Sequence, residues 1–260
     1  MKYKFIGILF LFFLFLPVHS QYDAQKLTRI YTSAGHTKLL SDQLITEKAG
    51  SQYLPFNSKL KIRLHHDIVR IDSYLDTIVL NLPEDVNIQK KYLEMNEKWH
   101  RMKPYLKQRK LHTRDWKRLI KQNEELSGAI DDFQAAVLLL LSPGEETMQV
   151  ISRIHEANKE VSRAFFSSIM HKLHQNTRFS TGNETELIKN ASKKINKLTS
   201  YFKKDNRADY VLTKIKSDLN TFYMGFQNNY DPHVMMSTYI KFNDKIDELY
   251  DKIFELSPMF

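Results

Sequence analysis

The stretch WKRLIKQNEELSGAIDDFQAAVLLL, residues 116–140, decides the fold. Its seam positions are Trp116, Leu119, Asn123, Leu126, Ile130, Phe133, Val137 and Leu140, alternately three and four residues apart. A repeat averaging 3.5 residues keeps one apolar stripe turned toward neighbouring helices and predicts left-handed bundle packing. Asn123, a single polar residue in that stripe, is expected to set register or partner number. The apolar tail Ala135 to Leu141 is too short to span a bilayer and reads as a buried helix end.

The same alternation recurs on both sides. Leu64, Ile68, Ile71, Leu75, Ile78 and Leu82 carry it, as do Ile88, Tyr92, Met95, Trp99, Met102 and Leu106. Near the end, Met235, Tyr239, Phe242, Ile246, Leu249, Ile253 and Leu256 repeat it. Strand signals are nearly absent, and the seven glycines and seven prolines fall mostly at boundaries. The breakers predict helices near 23–47, 58–82, 84–109, 113–141, 144–176, 184–204, 207–228 and 232–256. Pro83 is expected in the first turn of the third helix, and Pro104 is expected to kink that helix or end it early. Asn183 with Glu186 resembles a capping box, and Asp231-Pro232 opens the last helix. The predicted fold class is therefore all-α: tandem antiparallel four-helix bundles over 21–142 and 143–260, the second a diverged repeat of the first.

Residues 1–20 read as an export signal. Lys2 and Lys4 precede an apolar run from Phe5 to Leu16, and Pro17-Val18-His19-Ser20 closes it. The expected location is periplasmic or secreted, with no membrane-spanning segment in the remainder. With no cysteine, the chain has neither disulfides nor a lipidation site, so its stability rests on the core. The net charge of +9 is spread along the chain; together with export this argues against nucleic acid and leaves small anions as partners.

No catalytic constellation emerges. A di-iron bundle needs two Glu-x-x-His motifs, and the sequence holds one, Glu97 to His100. His171 and His174 share a helix face and form a metal-binding alternative that lacks an identifiable third ligand. Haem attachment, nucleophile-elbow and phosphate-loop motifs are missing, so no cofactor and no enzymatic activity are expected.

The most specific local pattern lies in the first helix, from Ile30 to Leu44. Ala34-Gly35, Lys38-Leu39 and Leu40-Ser41 resemble the opening of the periplasmic four-helix sensor domain of type IV pilus chemotaxis transducers and nitrate-sensing histidine kinases. The resemblance covers about 22–142, and Ile154 to Arg163 stands where the motif would recur. It implies a sensing bundle that binds a small anionic or polar ligand around Gly35, Lys38 and Ser41, at the seam of a homodimer. Lys38 would replace the family's anion-binding arginine, a point charge in place of a planar fork. With no signalling domain of its own, such a chain would hand its state to an envelope protein. The alternative is a protein-association scaffold without a small ligand.

Overall fold

The computed structural model describes residues 23–141, 144–174 and 183–256, and every regular element among them is a helix. They are α1 (Ala24–Tyr53), α2 (Ser58–Asn81), α3 (Val86–Lys107), α4 (Thr113–Leu141), α5 (Glu145–His174), α6 (Glu184–Asn196), the single turn α7 (Thr199–Phe202), α8 (Asn206–Gln227) and α9 (Pro232–Leu256). The expected export signal and the expected boundary at 142–143 lie outside the described residues. No described helix is long and apolar enough to cross a membrane.

The alternating seams are the core. Ile88, Tyr92, Met95, Trp99, Met102 and Leu106 are all buried, and so are Trp116 through Val137 at the seam positions of α4. Helix contacts group α1 to α4 on one side and α5, α6, α8 and α9 on the other. The groups meet lengthwise where α1 packs on α5, and one apolar core runs through both.

α1 is the axis. It touches α2, α4, α5 and α9, and from Ser33 to Gly50 every residue except Lys38 is buried. Ala34, Gly35, Ala49 and Gly50 let neighbours approach; at Gly50 a Cβ would stand 2.8 Å from Leu60 Cδ2 and 3.0 Å from Met236 Cε. The buried polar groups of α1 find tertiary partners, as burial requires. Gln43 Nε2 donates to Asn158 Oδ1 at 3.1 Å, and Asn158 Nδ2 donates to the Leu39 carbonyl at 3.2 Å. Thr46 Oγ1 donates to the Ser162 carbonyl at 2.8 Å. Lys48 donates to the Gln108 carbonyl at the end of α3, and burial pushes its ammonium down to about 8.

Several boundaries differ from expectation for identifiable reasons. α1 continues through Gly50 to Tyr53, since that glycine serves close approach to α2 and α9 and does not end the helix. Asp85 caps α3 by accepting from Ile88 N at 2.9 Å, which leaves Pro83 in the preceding turn. α3 passes through Pro104 and ends three residues later. The expected helix 184–204 breaks between Asn196 and Thr199, and Asn183 makes no side-chain cap. Asp231 does cap α9, accepting from His233 N at 2.7 Å.

Candidate functional site

The residues nominated from sequence lie along one helix but in separate environments. Gly35 packs under α9, so closely that a Cβ would fall on the Tyr250 hydroxyl. Lys38 reaches α4 and pairs with Asp131. Ser41 is buried, and its hydroxyl turns back to the Lys38 carbonyl at 2.9 Å.

One turn further on, α1 forms the wall of a groove of about 340 Å³ shared with α4, α5 and the start of α6. Asp42, Ile45 and Thr46 come from α1, while Ile120, Asn123, Glu124 and Ser127 come from α4. α5 supplies Lys159, Ser162, Arg163, Phe166 and Ser167, and α6 adds Leu187. The helical period explains the set: Asp42 and Thr46, Asn123 and Ser127, and Lys159 and Arg163 are each four apart and so share a face. The groove is mostly apolar, with a few convergent polar groups, as small-molecule sites are.

Asp42 and Asn123 form its floor, both 9% exposed. Asn123 Nδ2 donates to Asp42 Oδ1 at 3.1 Å. Burial pushes the Asp42 carboxyl above its ordinary range, opposed by this bond and by the charges of Lys159, Lys38 and Arg163. Lys159 and Arg163 make no ion pair among the described residues. Like charges four apart on a helix repel, so this pair is a sequence signal that seam-reading passes over. Asn123, expected from its seam position to set register, also lines the groove.

A second polar centre binds the two helix groups together. Arg63 on α2 meets Asp67 at 2.5 Å, pairs with Asp244 on α9, and lies 3.6 Å from Glu47 on α1. Arg70 contacts Asp67 at 3.2 Å and Asp247 on α9 at 2.9 Å. Glu47 and Asp67 are fully buried. Burial, then the Asp67 charge, pushes the Glu47 carboxyl well up. Beside this centre, His36 Nε2 lies 2.7 Å from Asp251 Oδ1 and its ring stacks on Tyr74 at 4.9 Å. Tyr250 stands between His36 and His155, at 5.0 and 5.2 Å.

For the metal alternative, His171 is exposed and the His174 side chain lies outside the described part. Among the described residues no three His, Asp or Glu side chains converge as a metal site. No family model, curated protein or solved structure matches this chain.

Proposed function

We propose that this chain is an exported, non-catalytic, sensor-like helical bundle that binds a small ligand bearing an anionic group in the groove between α1, α4 and α5. One observation carries the reading: Lys159 and Arg163 line an apolar recess and have no carboxylate partner among the described residues. Such a pair attracts an anion. The groove adjoins the helix segment that resembles the sensor family's ligand motif. In this reading the anion contact moves from Lys38, engaged by Asp131, to α5.

Titration calorimetry with acetate, hexanoate, phosphate and nitrate tests it, with the Lys159→Glu, Arg163→Glu double variant as control. Binding of at least one anion should fall tenfold or more in the double variant. Equal binding by both proteins, or none by either, refutes the reading.

A protein-association role has its own support. Leu80, Val86 and Leu93, beside the α2–α3 turn, are 81%, 81% and 64% exposed. Large apolar side chains this exposed near one turn are candidates for a protein contact. Capture of an envelope partner by the wild type but not by Leu93→Glu would support it.

A further inference from the structure

The floor of the groove has the opposite chemical character to its rim. Asn123 uses its amide N–H on Asp42 Oδ1 at 3.1 Å. Its own Oδ1 is sealed from solvent and meets no donor among the described residues. Asn123 is also the only donor found on the Asp42 carboxylate among those residues. A register-setting asparagine would account for the bond between α4 and α1. It would leave the amide oxygen of this groove-lining residue without a donor, and buried polar groups are as a rule satisfied. Two adjacent acceptors, one of them a carboxylate, call for a group that offers several N–H bonds and a positive charge. An ammonium offers three such bonds and no acceptor.

We infer that the groove takes a small zwitterion of the apolar α-amino acid class. Its ammonium sits between Asp42 and the Asn123 amide oxygen, its side chain lies along Ile45, Ile120 and Phe166, and its carboxylate faces Lys159 and Arg163. This deepens the anion-binding reading and rests on it. The composition suits the ligand: Asp42, Lys159 and Arg163 line the same groove, and an α-amino acid carries both charges on one small molecule. The size suits it as well, since a groove of about 340 Å³ is at the small end of ligand sites.

Calorimetry with three matched probe sets decides the matter: leucine and phenylalanine; isoamylamine and phenethylamine, which lack the carboxylate; isocaproate and hydrocinnamate, which lack the ammonium. The amino acids should bind at least tenfold more tightly than either truncated set. Asp42→Asn, which keeps the volume, and Asn123→Leu should each weaken the amino acids tenfold or more and leave the acids unchanged. If Asn123→Leu fails to give the wild-type circular dichroism spectrum, Asp42→Asn alone carries the test. Acids that bind as tightly as amino acids, or binding indifferent to Asp42→Asn, would overturn the ammonium subsite while the anion groove stands. Binding by none of the six probes would overturn the amino-acid proposal, while the anion reading is decided separately by the acetate, hexanoate, phosphate and nitrate titrations.

Discussion

Gly35 on α1 lies against the phenol of Tyr250 on α9, with no room between them for a methyl group. Gly35→Ala gains about 1 kcal/mol of helix propensity and forces a steric conflict of about 1–3 kcal/mol. The expected net result is a destabilisation of about 0–2 kcal/mol. In a Tyr250→Phe background the same substitution should cost less, because the hydroxyl is the atom in the way. A double-mutant cycle by chemical denaturation measures the coupling, and additivity of the two changes would contradict the packing described.

Arg70 supports two buried carboxylates at once, Asp67 and Asp247. Arg70→Met would leave Asp247 without its ion-pair partner and Asp67 with Arg63 alone, and breaking a buried pair from one side costs about 3–5 kcal/mol. The lower end is expected, since the Arg70 side chain keeps 23% exposure. Adding Asp247→Asn, which removes the stranded charge, should restore part of the loss. Urea midpoints for the single and double variants check this.

Glu47 makes stability depend on pH in a defined direction. Burial and then Asp67 raise its carboxyl well above the ordinary range, so the folded protein holds a proton that the unfolded chain gives up. The stability tied to that proton is fully present below the unfolded carboxylate value and is lost as pH rises through the folded value. Glu47→Gln removes the titration. Its melting temperature relative to wild type should stay nearly level around pH 4 and grow in the variant's favour toward pH 8. A pH-independent difference would show that folding does not raise the Glu47 pKa.

His155 acts on the acid side. Burial, with Lys38 and His36 nearby, holds its imidazole well below the ordinary value, so it packs neutral against Tyr250. The stability it contributes is present above the unfolded value of about 6.5 and declines as pH falls through it. His155→Phe should therefore lose less melting temperature than wild type between about pH 7.5 and 5. Parallel curves for the two proteins would remove His155 from the acid response.

The rods were legible and the axis was not. Positions such as Trp99, Phe133 and Ile246 repeat at 3.5 residues because one stripe of each helix meets its neighbours, and all three are buried as that spacing predicts. α1 escapes the same reading because it is enclosed on every side. Thr37, Gln43 and Glu47 look like a solvated face until α5 and α9 are placed around them. The candidate site shows the same division. The sequence drew attention to α1 through Ala34-Gly35 and Lys38, but the groove needs Asn123 and Arg163 from helices about 80 and 120 positions away, a proximity no local pattern encodes.

The enclosure of α1 also sets an order on synthesis. His36 and Asp251 touch across 215 positions, so a nascent chain makes its axis first and the last helix that closes around it at the end. Until then α1 waits with Asp42, Gln43, Glu47 and Lys48 wetted along its length. Contacts so distant in sequence form slowly and leave unfinished chains prone to aggregation. An axis apolar at every position would be sticky all round throughout that wait, whereas here Asp42, Gln43, Glu47 and Lys48 keep water beside Leu39, Leu40, Leu44 and Ile45 until the neighbours arrive.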